Sequence, residues 1–204
     1  YWGEQPGTSG PVYVGAFVLM LFILGLFIVK GPMKWALLAA TVLSIALSWG
    51  KNMMWLTDLF IDYMPLYAKF RTVASILVIA EFTIPLLAMM ALKKIIDEPD
   101  LLTHNIKYVY ASFGLTAGFA LLFALMPGVF FGSFVSSDEL QALSQFPQQQ
   151  LNPILADLTS VRQAIFRADC WRSFWIIVIG TTFLLLYKAK KLKPAYLIGA
   201  LTLL

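Results

Sequence analysis

VYVGAFVLMLFILGLFIVKGPMKW, residues 12–35, decides the fold. Its first part, Val12 to Val29, is 18 residues without a charge. As an α-helix, at about 1.5 Å per residue, it reaches roughly 27 Å, close to the hydrocarbon thickness of a bilayer. Lys30-Gly31-Pro32-Met33-Lys34 then breaks the run with a short basic turn. A greasy segment of membrane length, closed by lysines and followed by a second greasy segment, is the pattern of a polytopic membrane protein.

The rest of the chain repeats this pattern. Apolar runs fall at about 35–49, 72–92, 108–131 and 170–187, and residues 195–204 open another. Backbone groups cannot stay unpaired in lipid, so such runs are helices unless they close into a barrel. Barrel strands alternate polar and apolar residues, and none of these runs does. The expectation is an all-α fold. One transmembrane domain covers 1–204, with five spans, the start of a sixth and short amphipathic interfacial helices.

Composition agrees. The chain is 60% hydrophobic and 13% charged, against about 45–50% and about 25% in soluble domains. Too little polar surface is left to cover a water-exposed globule. One cysteine, Cys170, excludes an internal disulfide and offers no metal-site spacing. No metal ligand set, cofactor motif or nucleic-acid partner is expected. The sequence begins at Tyr1 and stops at Leu204 inside an apolar run, which reads as a piece of a longer chain.

Charge placement sets the orientation. Lys30 and Lys34, then Lys93, Lys94 and Lys107, then Lys188, Lys190, Lys191 and Lys193 fall on alternate connections and so share one side. By the positive-inside rule that side is cytoplasmic. Residues 1–11, 50–71 and 133–169 are then extracytoplasmic. Every arginine (Arg71, Arg162, Arg167 and Arg172) falls on that outer side. A guanidinium grips phosphate and carboxylate at two points. The bland alternative is salt bridges to Asp157 and Asp169 within the loop.

The 133–169 loop carries its own helical signals. Ser136 and Glu139 have capping-box spacing. Asn152-Pro153 is suited to start a second helix, after a breaker at Phe146-Pro147. In that helix Ile154, Leu158, Val161 and Ile165 share one face. Two short helices lying on the membrane surface or the bundle are expected. Gly114 and Gly118, and Gly128 and Gly132, have the spacing of close helix packing.

Glu81 is the sharpest single residue, read as mid-span in SILVIAEFTIPLLAMM. A charge near the bilayer centre costs about 2.5–3.5 kcal/mol, so it needs a partner or a polar cavity. Pro85, four residues on, frees the carbonyl of Glu81 from its helical bond. The reading without function is a glutamate that fastens two helices. The 50–71 stretch adds Lys51, Asn52, Asp58, Asp62, Lys69 and Arg71, with Asp58 and Asp62 one helical turn apart. An ordinary interfacial helix explains these equally well. Glu4 lies in a loop rich in Gly and Pro. Lone His104 is expected to be solvated on the lysine side.

YWGEQPGTSGPVYVGA, FIVKGPMKWALLAATVLSIALSWGKN and DLFIDYMPLYAKFRTVASILVIAEFTIPLLA together resemble the YfhO family of bacterial membrane proteins. The likeness covers about residues 1–92 and loosens beyond. YfhO proteins are similar to the GT-C class of membrane glycosyltransferases. The resemblance implies a multi-pass protein of the bacterial cytoplasmic membrane. It implies a polyprenyl-phosphate sugar donor, an envelope glycan or glycolipid acceptor, and chemistry on the outer face. The catalytic carboxylate of that class sits in an early external loop, which this piece does not include, so no catalytic residue is carried over and the piece alone is expected to be inactive. Glu4, Lys51, Asn52, Asp62, Arg71 and Glu81 fall in the matching stretches and stand as substrate-binding candidates, with Asp58 and Lys69 beside them. Two other readings remain open: a transporter or flippase with Glu81 as its protonatable group, and a non-catalytic structural membrane domain.

Overall fold

The computed structural model describes residues 12–64, 73–130, 134–145 and 147–202; for Lys51, Val73, Ala74, Asp138 and 148–150 it describes the backbone only. The elements are α1 (Ala16–Ile28), α2 (Met33–Ser48), a 3-10 turn (Gly50–Met53), α3 (Met54–Tyr63), a second 3-10 turn (Val73–Leu77), α4 (Val78–Asp97), α5 (Leu101–His104), α6 (Ile106–Leu125), α7 (Pro127–Phe130), α8 (Ser137–Leu143), α9 (Gln148–Lys188) and α10 (Pro194–Thr202). Among the described residues there is no strand. The all-α expectation holds.

The expected number of spans does not follow directly. Among the described residues three helical segments are long and apolar enough to cross a bilayer: Ser75–Asp97, Ile106–Leu125 and Leu151–Lys188. α1 and α2 are apolar but have 13 and 16 residues. At about 1.5 Å per residue they reach roughly 20 and 24 Å, short of a ~30 Å core. The shortfall of α1 has a local cause. Val12 to Val14 are non-helical, and Gly15 turns the chain at φ 85° before the helix begins.

Side-chain contacts fix the helix directions. Lys34 Nζ donates to Leu26 O at 2.8 Å, which closes α1 and α2 as an antiparallel hairpin. Thr41 meets Thr83, and Ser44 Oγ donates to Ile76 O at 2.7 Å, so α4 runs against α2 and with α1. Phe27 stacks on Tyr108, bringing the start of α6 to the end of α1. Arg167 Nε donates to Ala124 O at 3.1 Å, which sets the middle of α9 at the end of α6. The lysines named above therefore gather at one end of the bundle. Arg162, Arg167 and Arg172 lie towards the other.

α1 is central, with α4 on one side and α6 and α9 on the other. Its Met20 and Leu24 are fully buried, as are Leu87, Ala91 and Ile95 of α4. Two glycines permit the close approach. A Cβ on Gly25 would meet Leu87 and Ala91 at 3.1 and 3.3 Å, and one on Gly180 would enter the Phe17 ring. These are not the glycines singled out by spacing. Gly114, Gly118 and Gly128 face open space, and Gly132 lies outside the described residues.

The expected pair of loop helices is also corrected. α8 is capped by Ser136 and Glu139 as read: Glu139 N–H donates to Ser136 Oγ at 3.3 Å and Ser136 N–H to Glu139 Oε2 at 3.0 Å. The second helix starts earlier, with Pro147 as N-cap, and does not stop before the fifth span. It is one element of 41 residues, about 62 Å long. A helix satisfies its own backbone in water and lipid alike, so the polar stretch Arg162–Arg172 does not interrupt it. Pro153 removes one early bond and is absorbed six residues in. The stripe Ile154, Val161 and Ile165 is exposed rather than seated on the bundle.

Candidate functional site

Glu81 lies in the first turn of α4, whose α-helix begins at Val78 after a 3-10 turn, and is the seventh residue of the apolar segment Ser75–Asp97. About 18 Å of helix axis separates it from Lys93 near the other end. An acid in a first turn is favoured by the helix dipole, which lowers the cost of keeping it there. Its side chain is half-buried and has no hydrogen-bond or ion-pair partner among the described residues. α4 continues through Pro85, which carries no N–H to return to the Glu81 carbonyl.

The remaining candidates do not converge on it. Asn52 is exposed on the 3-10 turn, where its N–H donates to Trp49 O at 3.0 Å. Asp58 and Asp62 are exposed on α3, as are Trp55, Leu59 and Tyr63. Thr57 is the buried residue of α3, its hydroxyl donating to Gly50 O at 3.1 Å. α3 packs on α2 and the turn before it. Thr83 marks the α2 side of α4. At 100° per residue, Glu81 falls roughly 160° away from it, on the opposite flank. Glu4, Lys69 and Arg71 lie outside the described residues, and Lys51 is placed by its backbone alone.

A polar junction that the sequence did not mark holds α2 to α4. The Thr41 and Thr83 hydroxyls are 2.7 Å apart, and each also reaches the carbonyl four residues back, at 2.7 Å to Leu37 O and 2.9 Å to Ile79 O. Two hydroxyl hydrogens serve three contacts, so the pair can exchange its donor. Thr41 and Ser44, three apart in an apolar run, were the available signal.

At the arginine end the charges pair. Arg162 grips Glu139 with two bonds, Nη1 to Oε2 at 2.8 Å and Nη2 to Oε1 at 2.7 Å. Nη1 also donates to Phe134 O at 2.7 Å. These bonds hold the Glu139 carboxyl down at about 2 from an ordinary 4.5: the Arg162 hydrogen bonds contribute most, then the Ser136 N–H, and partial burial opposes them. Phe134 is buried against Phe166, and Phe123 sits between Phe130 and Phe166. The ion pair expected within the loop thus exists, with Glu139 in place of Asp157 or Asp169 as the partner of Arg162. Asp169 pairs instead with Arg172, at 3.1 Å on an exposed surface. Arg167 caps α6 through Ala124 O, where a cation also complements the helix dipole.

At the lysine end His104 is exposed, its Nδ1 3.1 Å from Asp100 O, beside a shallow cleft of about 380 Å³ lined by Glu98, Pro99, Asp100, Leu101 and Asn105. Among the described residues no three His, Cys, Asp or Glu side chains are grouped to hold a metal ion. The arrangement offers Glu81, a half-buried carboxylate without a partner among the described residues, and arginines used largely to fasten helices. No protein-family model, curated protein or solved structure matches the chain.

Proposed function

We propose that the chain is the membrane-embedded frame of a GT-C-like glycosyltransferase of the YfhO kind, which works on polyprenyl-phosphate-linked sugars at the outer face of the bacterial cytoplasmic membrane. In this reading α1 and α2, extended by their apolar flanks, cross the membrane with the three longer segments, and α10 opens a sixth span. The lysine end is cytoplasmic. The catalytic carboxylate and the glycan acceptor site belong to the rest of a longer chain.

The observation that carries the reading is Glu81: a half-buried carboxylate with no partner among the described residues, on a helix otherwise uncharged over its first fifteen residues. A carboxylate kept unpaired at such a place is a functional group by default, since fastening helices would require a partner. A sugar hydroxyl is a fitting donor to it. Arg162 is fully engaged, so the lipid phosphate falls to exposed Arg167 and Arg172, or to Lys51, Lys69 and Arg71. Replacing Glu81 by Gln in the full-length protein should cut glycan transfer at least tenfold at unchanged expression and membrane insertion. Full transfer by E81Q would overturn the reading.

The arginine pairing favours a second reading, a non-catalytic structural membrane domain. It predicts that E81Q leaves transfer intact while Arg162→Ala loosens the fold.

A further inference from the structure

Between α9 and α10 the chain reads KAKKLK, residues 188–193, with four lysines in six residues. The helix closes there with two nested bonds. Lys191 N–H donates to Leu186 O at 3.1 Å, and Lys190 N–H to Tyr187 O at 2.9 Å. This is a Schellman turn, whose residue just past the helix end takes the left-handed conformation that suits glycine. Here that residue is Lys190, at φ 57°. Every other positive-φ residue among those described is a glycine. A Cβ crowds the following carbonyl in this conformation, so lysine makes the turn less stable than glycine would. An answer to the helix dipole does not account for it, because Lys188 already stands in the last turn. Such an outlier points to a use for the side chain.

The turn is anchored by its apolar residues and holds its lysines out. Leu192 packs against the core, and Tyr187 and Leu197 are buried. Lys190, Lys191 and Lys193 are exposed. Residues 170–204 contain no Asp or Glu. Asp97, Glu98 and Asp100, on the α4–α5 connection at the same end, make no ion pair with these lysines. The turn also sits where a membrane surface falls. The apolar segment Leu151–Lys188 ends at its first lysine, and α10 resumes the apolar pattern at Pro194. Tyr196 and Ile198 of α10 are 67% and 44% exposed. A tyrosine one turn beyond such lysines suits headgroup depth.

We propose that the 188–193 turn binds the phosphate of an anionic phospholipid in the leaflet at the lysine end, with Lys190, Lys191 and Lys193 as its cations. Lysines clustered directly after a membrane segment meet headgroup phosphates at the high density of the bilayer surface. The exposed apolar residues of α10 offer the acyl chains a wall beside them. The site lies at the end of the bundle away from Glu81 and does not depend on the glycosyltransferase reading.

The test uses the full-length protein, purified in neutral detergent and stripped of lipid. Phosphatidylglycerol or phosphatidylcholine is added and the bound lipid is read by native mass spectrometry. The wild-type chain should hold phosphatidylglycerol at least tenfold more tightly, and K190Q/K191Q/K193Q should lose that preference. K190G separates the lysine from the turn. Its melting temperature should be unchanged or raised, since glycine suits the position, while phosphatidylglycerol binds roughly fivefold more weakly. K190R should bind as the wild type does. No preference in the wild-type chain, or undiminished binding by K190G, would overturn the proposal. So would a K190G chain that melts lower as it loses the lipid, since the lysine would then serve the turn. An equal loss in K93Q/K94Q would mean diffuse attraction to the whole basic end, and inorganic phosphate held as tightly as the lipid would mean a soluble anion; either also overturns it.

Discussion

Arg162 and Glu139 show how a charge pair earns a place at a membrane edge. The Arg162 side chain is 15% exposed and the Glu139 side chain 38%. Removing the arginine takes two bonds from the carboxylate, which keeps the Ser136 N–H, and one from the Phe134 carbonyl. Hydrogen bonds to charged groups contribute about 1.5–3 kcal/mol, and solvent screening at Glu139 reduces that, so Arg162→Ala should loosen α8 by roughly 1–2 kcal/mol. The pH dependence has a definite sign. The folded pKa of Glu139 is lowered, so its contribution is complete above about 4.5 and is lost as pH falls towards 2. Spin labels on Gln141 and Ala156 should give one narrow distance at pH 6 and still at pH 4. The distance should broaden near pH 2, and in Arg162→Ala it should be broad at pH 6. The capping box was legible because its rule is local, three residues apart. The partner of Glu139 was not, because it lies 23 residues away and local spacing carries no information about it. Glu81 falls in the first turn of the α-helix proper, which was not legible, because the 3-10 turn before Val78 leaves no trace in hydropathy.

At the level of elements, apolar run length identified the helices, since nothing but a helix buries so long an unalternating run in lipid. It failed at the join of loop and span in α9. Polar residues such as Arg167, Asp169 and Arg172 suggest an end, yet a helix ends only where its backbone bonds find other partners. The stalk is therefore rigidly continuous with the membrane segment. Spin labels at Ala156 and Thr182, 26 residues apart and both exposed, should report a single distance near 39 Å at the backbone. A shorter or bimodal distance would mean a break near Asp169, with the stalk folded back onto the membrane. The glycine misreading has a similar origin. Small-xxx-small spacing says which residues could pack closely; which face meets a neighbour is decided by the whole bundle, and that selected Gly25 and Gly180.

Taken as a molecule, the chain is a helical bundle with one basic lysine end and one end of paired arginines and aromatic rings. Of the lysines there, Lys34 holds the Leu26 carbonyl, and the described arginines each hold a defined oxygen. The fold class and this polarity were readable from composition and charge order. The substrate-binding candidates were readable only as residue types, since bringing Asp58, Asp62 and Glu81 to one place would require contacts that the described elements do not make. The central claim is that the bundle lies across a membrane with α3 and the α9 stalk on one side and the α4–α6 connection on the other. Single cysteines at Asp58, Ser160 and Glu98, in an otherwise cysteine-free chain, can be labelled with an impermeant maleimide in sealed vesicles. Asp58 and Ser160 should react from one side of the membrane and Glu98 only from the other; labelling of all three from the same side would contradict the account.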